Sequence, residues 1–155
     1  MVAESVIGHR FILDANCLID CGERFYPDDV FSGLWRQIRE ALTDGSVLTC
    51  KTVIEEIKRG DEAAWRTAVC RITVAHVIDE ADSDIQVEFA RLARLTGLPS
   101  GLSDVDRLVL ACGGARSLGI VTRDAEIVKA CARPDIQPQS FGPAEFFRAM
   151  GWVFP

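Results

Sequence analysis

The sequence is short of histidine and of positive charge, and it has no long apolar run. His9 and His76 are its two histidines in 155 residues, too poor a supply for a histidine-dependent nucleophilic triad. Seventeen Lys and Arg face 23 Asp and Glu, a formal charge of −6. That sign argues against broad, non-specific duplex binding, which needs a basic face to release counterions, but it leaves room for a local nucleic-acid site. Where several acids converge on divalent cations, part of the negative balance belongs to a metal pocket. No apolar stretch approaches the roughly 20 residues of a membrane span, and the start Met1-Val2-Ala3-Glu4-Ser5 lacks the basic-then-apolar layout of a signal peptide. The expectation is a cytoplasmic protein with no membrane partner.

Paired cysteine motifs are missing too. Cys17, Cys21, Cys50, Cys70, Cys112 and Cys131 form no C-x-x-C pair and lie mostly in apolar stretches, so they read as reduced core thiols. Cys17 and Cys21, four apart, would share a helix face as zinc ligands can, but partners for them are lacking. No internal repeat, low-complexity tract or linker divides the chain, so a single domain over residues 1–155 is expected.

What is present is an alternation of short apolar segments and helical stripes. Arg10-Phe11-Ile12-Leu13 ends at Asp14 and suits a buried strand leading into a helix. Phe31, Leu34, Trp35, Ile38, Ala41 and Leu42 repeat at helical spacing until Gly45. Val47 to Cys50 is a second strand, and Thr52-Val53-Ile54-Glu55 has the form of a capping box opening a helix that Gly60 can close. Residues 62–70 read as a short helix and 72–78 as an extended segment. The acids Asp79, Glu80, Asp82 and Asp84 read as the solvated start of a helix that Gly97-Leu98-Pro99 ends. Ser103-Asp104-Val105-Asp106 is another capping-box pattern, with Val105, Leu108, Val109, Cys112 and Ala115 behind it. Gly119 to Thr122 is a brief strand, Ile136 to Phe141 a candidate edge strand, and residues 143–150 a last helix.

Strands alternating with helices imply βαβ crossovers and a mostly parallel sheet, whose sites lie beyond the carboxyl ends of the strands. The acids at strand ends therefore stand out: Asp14 after the first strand, Glu56 in the helix after the second, Asp106 near a helix start, and Asp124 after a later strand. Each also has an ordinary structural use, as a helix cap, a capping-box partner or a solvated charge. Gathered at one edge, they would repel one another unless protonated or neutralised by a hard divalent cation, Mg²⁺ or Mn²⁺.

These segments resemble the PIN-domain nucleases. The resemblance rests on Phe11-Ile12-Leu13-Asp14-Ala15-Asn16, on Val53 to Gly60, on Leu102-Ser103-Asp104-Val105-Asp106 continuing to Ala111, and on Gly119-Ile120-Val121-Thr122-Arg123-Asp124. It implies a three-layer α/β/α sandwich around a parallel sheet, and Mg²⁺- or Mn²⁺-dependent hydrolysis of RNA at an acidic cluster. Stand-alone relatives of this size are commonly toxins of toxin–antitoxin pairs, which implies an antitoxin protein as a partner. By motif position the family's acids fall on Asp14, Glu56, Asp106 and Asp124, with Asn16 and Thr122 in support.

Two neighbouring choices need arbitration. Glu55 and Glu56 lie about 100° apart around a helix. The family pattern selects Glu56 and leaves Glu55 for the cap with Thr52. Asp104 and Asp106 lie about 200° apart, and the pattern favours Asp106 with Asp104 second. Lys58, Arg59 and Arg123 adjoin the motifs as phosphate contacts or as ordinary surface charge. The aromatic segment Arg24-Phe25-Tyr26-Pro27-Asp28-Asp29-Val30-Phe31 is expected to pack as a loop rather than stack on bases. The apolar helix from Phe31 to Leu42 could offer a face to a second copy, giving a homodimer, or to an inhibitory peptide. Two other readings stand beside the ribonuclease: a catalytically inactive PIN-like domain that binds a protein, and a haloacid-dehalogenase-type phosphohydrolase. The latter wants a second Asp where Asn16 stands.

Overall fold

Each short apolar run that ends in a polar residue becomes a strand. In the computed structural model, which describes residues 10–20, 29–60 and 77–152, β1 (Arg10–Leu13) leads into α1 (Ala15–Asp20). Next come α2 (Ser32–Asp44), β2 (Val47–Cys50), α3 (Lys51–Gly60) and β3 (Val77–Ile78). The chain continues through α4 (Ser83–Ala93), α5 (Asp104–Arg116), β4 (Leu118–Val121), α6 (Ala125–Cys131), β5 (Ser140–Phe141) and α7 (Pro143–Ala149). The helix expected over 62–70, residues 72–76 of the extended segment, residues 24–28 of the aromatic segment, both histidines, Cys21 and Cys70 lie outside the described residues.

The strands form one sheet in the order β3-β2-β1-β4-β5, and every pairing is parallel. Phe11 to Leu13 and all of β4 are buried, as strands covered on both faces must be. From β1 the chain steps through β2 to β3, then returns to place β4 on the other side of β1. The direction of winding therefore reverses between β1 and β4, and ligands of open α/β sheets bind in the crevice beyond the carboxyl ends at such a reversal. Asp14 and Asp124 follow those two strands.

Packing fixes the sheet's register. Phe11 meets the rings of Phe141 and Phe146 edge-on, with centroids 5.2 and 5.1 Å away. Gly119 leaves room for this group, since a Cβ there would lie 2.7 Å from Phe141 and 3.1 Å from Phe11. The stripe of α2 is spent inward: Leu34, Trp35, Ile38, Ala41 and Leu42 are all buried. This corrects the expectation of an exposed apolar face for a second copy or a peptide. Gly45 closes α2 in the left-handed conformation, φ 81°. Cys17, Cys50 and Cys112 are buried and Cys131 half-buried, with Cys50, Cys112 and Cys131 free thiols. Among the described residues no helix is long and apolar enough to cross a membrane.

Several boundaries differ from the sequence reading. The fourth strand spans Leu118–Val121, so Thr122 falls just beyond it, and the edge strand shrinks to Ser140–Phe141 with Ile136 buried in the preceding loop. The helix before Gly97 stops at Ala93. Thr52 and Glu55 form no capping box: α3 begins at Lys51, so Thr52 lies inside its first turn, Glu55 is exposed, and the Thr52 N–H donates instead to Glu80 Oε1 at 2.7 Å. The acids after β3 are not simply solvated either. Asp82 and Asp84 grip Arg116 at 2.8 and 2.6 Å, tying the start of α4 to the end of α5, and Glu80 is turned inward.

Candidate active site

Asp14 is the fixed point of the site. Its N–H donates to the Val121 carbonyl at 3.0 Å, so the β1–β4 pairing carries on through it, and its side chain is delivered between the two strand ends only 2% exposed. Oδ1 accepts the Ala15 N–H at 2.9 Å and Oδ2 accepts the Thr122 hydroxyl at 2.8 Å. The Thr122 oxygen in turn accepts the Asp124 N–H at 3.0 Å, so one hydroxyl links the first acid to the last. Burial pushes the Asp14 carboxyl up to about 7, against the stabilising Thr122 hydroxyl, and the charges of Asp106 and Asp124 push it the same way.

Asp106 occupies the third position of α5. Its Oδ2 accepts the Ser103 N–H at 2.9 Å, while its own N–H donates to Ser103 Oγ at 3.1 Å, a complete capping box that leaves the carboxylate 7% exposed. Asp124 caps α6 through Oδ1, which accepts the Glu126 N–H at 2.8 Å. Glu56 is half-buried on α3; burial, then the charge of Asp106, raises its carboxyl, and Arg59 opposes them. The four acids thus feel one another: Asp14 with Asp106 and Asp124, and Glu56 with Asp106. Their competitors do not join them. The Asp104 side chain is 89% exposed and Glu55 is exposed.

The cap roles occupy one oxygen each of Asp106 and Asp124, and among the described residues the other oxygen of each accepts no hydrogen bond. Such a set, carboxylate oxygens without nitrogen or sulfur, is of the kind that hard divalent cations take. As placed, however, no three His, Cys, Asp or Glu side chains among the described residues stand close enough together to hold a metal ion.

Other expected contributors are sorted by geometry. Thr122 supports Asp14 directly. Asn16 does not: it is exposed on the first turn of α1, and Thr122, just beyond β4, supplies the hydroxyl instead. Lys58 and Arg59, in the last turn of α3, and Arg123, between β4 and α6, are exposed. Glu80 is the residue that sequence reasoning missed. It follows β3 at the same edge of the sheet, is 8% exposed, and holds the first turn of α3, the helix that carries Glu56. Its neighbours Asp79, Asp82 and Asp84 disguised it as part of a solvated run. A hollow of about 360 Å³ lined by Gly113, Gly114, Ser117 and Gln137 opens near the start of β4, the opposite end from Asp124, and has no titratable side chain in its lining.

Residues 11–139, a span that holds all four acids, match the family described as Domain of unknown function (DUF4411). The chain belongs to that family. No curated protein matches this DUF4411 chain. Among solved structures, it is similar to the crystal structure of FitAcB from Neisseria gonorrhoeae, with a TM-score of 0.59 and 16% identity over 86% of this chain and 98% of that one. At that identity the likeness concerns the fold, and the fold of this DUF4411 chain is PIN-like: a parallel five-stranded sheet flanked by helices.

Proposed function

We propose that this protein is a divalent-cation-dependent ribonuclease, the toxin member of a toxin–antitoxin pair, that hydrolyses RNA phosphodiester bonds at Asp14, Glu56, Asp106 and Asp124. One observation carries the reading: a buried carboxyl, Asp14, is fixed at the reversal point of the sheet within the field of two further acids. A carboxyl perturbed by desolvation and by neighbouring charges in a crevice has the signature of a functional site. In this reading Asp14, Asp106 and Asp124 would hold one or two Mg²⁺ or Mn²⁺ ions, with Glu56 holding a second or orienting the attacking water. The bound cation would lower the pKa of that water and offset charge on the phosphodiester. Glu56, its carboxyl raised by burial, is suited to accept the water's proton as the new P–O bond forms and the bond to the leaving ribose oxygen breaks. Thr122 holds Asp14 in place throughout. The fold shared with FitAcB supports the toxin branch of the proposal, and an antitoxin protein is then the expected partner.

The test compares wild type with Asp14→Asn on a mixed single-stranded RNA pool, with Mg²⁺, with Mn²⁺ and with EDTA. Cleavage should require both the cation and Asp14; equal products from the two proteins would refute it. A second reading, an acidic pocket that binds a protein partner without turnover, draws on the absence of three converged donors among the described residues. No RNA product with either cation, together with no shift in melting temperature on adding Mg²⁺, would select it.

A further inference from the structure

We infer that Arg107 holds a phosphate of the RNA strand beside the scissile bond, an assignment that rests on the ribonuclease reading above. Arg107 follows Asp106 on α5, and at about 100° per residue it lies around the helix between the buried Asp106 and the exposed Asp104. Its guanidinium leans back over the first turn, where Nη1 stands 3.8 Å from Asp104 Oδ1. That distance is too long for a hydrogen bond, and the Asp104 carboxylate is 89% exposed and well solvated. The Arg107 Nε is buried and has no acceptor among the described residues, while the side chain as a whole is 37% exposed. The contrast with other arginines is sharp: Arg91, Arg116 and Arg133 close on carboxylates at 2.6, 2.6 and 2.7 Å.

An N–H withdrawn from water without an acceptor is costly, more so on a charged group, and the partly exposed side chain relieves that cost by turning its guanidinium outward to an anion. Among the described residues no carboxylate reaches Arg107 more closely than Asp104 does. The anion of the proposed reaction is a phosphodiester, whose oxygens match the guanidinium fork. Arg107 sits on the turn that presents Asp106, so a phosphate bound there would lie next to the acids without crowding them.

The experiment measures binding of a short labelled single-stranded oligoribonucleotide in EDTA, by fluorescence anisotropy over a series of salt concentrations, for wild type, Arg107→Ala and Arg107→Lys. Arg107→Ala should bind about tenfold more weakly at low salt. Its plot of log affinity against log salt should be shallower by about 0.7, the contribution of one single-strand phosphate. Arg107→Lys should restore the slope but not the full affinity, having the charge without the fork. An unchanged slope in Arg107→Ala overturns the assignment, whether its melting temperature holds or falls, because a packing role alone leaves the slope intact. Wild type that shows no salt-dependent binding overturns it as well. The nuclease reading is scored separately on the same oligoribonucleotide in Mg²⁺: products formed equally by wild type and Asp14→Asn end that reading, whereas Asp14-dependent cleavage with an unaltered Arg107→Ala slope ends only the arginine assignment.

Discussion

Replacing Asp14 by Asn should stabilise the protein at pH 8 and not at pH 4, in the absence of divalent cations. Asp14 is held at about 7 in the folded chain, against 3.8 for an ordinary Asp. At 1.36 kcal/mol per pH unit, the ionised carboxylate costs the folded state about 4 kcal/mol once both states have ionised. Because the folded-state value is raised, the favourable condition is the protonated one: it is complete below pH 3.8, erodes as pH climbs, and is gone above about 7. Asn never ionises and escapes that loss. It does forfeit one of the two hydrogen bonds that Ala15 and Thr122 donate, at about 1 kcal/mol. The net expectation is a gain of about 3 kcal/mol at pH 8, roughly 6–12 °C in melting temperature for a chain of this size, and a loss of about 1 kcal/mol near pH 4. Melting both proteins in parallel by circular dichroism in EDTA isolates the difference, since the carboxylates outside the cluster are common to both. Adding Mg²⁺ should then raise the wild type, by about 2.7 kcal/mol at a hundredfold excess over its dissociation constant, and leave Asp14→Asn unmoved. A difference between the two proteins that does not change with pH would refute the reasoning.

Thr122→Val should break the link between Asp14 and Asp124, because it removes the hydroxyl that donates to one and accepts from the other. RNA cleavage should drop and stability fall by about 1–3 kcal/mol at pH 8, where Asp14 is charged, with a smaller fall near pH 4; an equal fall at both would show that the hydroxyl does not serve the carboxylate. Gly119→Ala should destabilise by about 1–3 kcal/mol, as its Cβ would press on Phe141 and Phe11, and urea unfolding at neutral pH measures it; an unchanged midpoint would mean the aromatic group gives way freely.

The strands and long helices were legible because burial imposes periodicity. The α2 stripe and the runs of β1, β2 and β4 are patterns that only a packed core requires, and the Ser103–Asp106 capping box could be read because both partners lie within one turn. Interactions that cross the sheet leave no such trace. Thr52 resembled the first residue of a capping box, yet its N–H goes to Glu80, 28 positions away. Asn16 was expected beside Asp14 because it is near in sequence, while the residue that supports Asp14 is Thr122, 108 positions on, brought there by the parallel pairing of β1 with β4. The four acids were recognisable one by one. What the sequence could not state is how many of them approach closely, which depends on the balance between their repulsion and the groups that hold each in place.

That balance follows from the topology. In a parallel sheet every strand that feeds a helix leaves the helix N-terminus at the carboxyl edge, where unsatisfied N–H groups and the positive end of the helix dipole face outward. Asp14 precedes α1 and accepts its first N–H, Asp106 closes the capping box of α5, and Asp124 caps α6. Three acids that would repel one another are each anchored to a different helix start, so the fold supplies partial positive charge one oxygen at a time. Asp14, the most deeply buried, is not fully compensated by this arrangement, since burial outweighs both of its hydrogen bonds. The uncompensated charge is therefore concentrated at the crevice between β1 and β4, where a cation shared by Asp14 with Asp106 or Asp124 would gain most. The caps that make each acid look structural in isolation are, on this reasoning, what allows several acids to occupy one edge of the sheet before any cation binds.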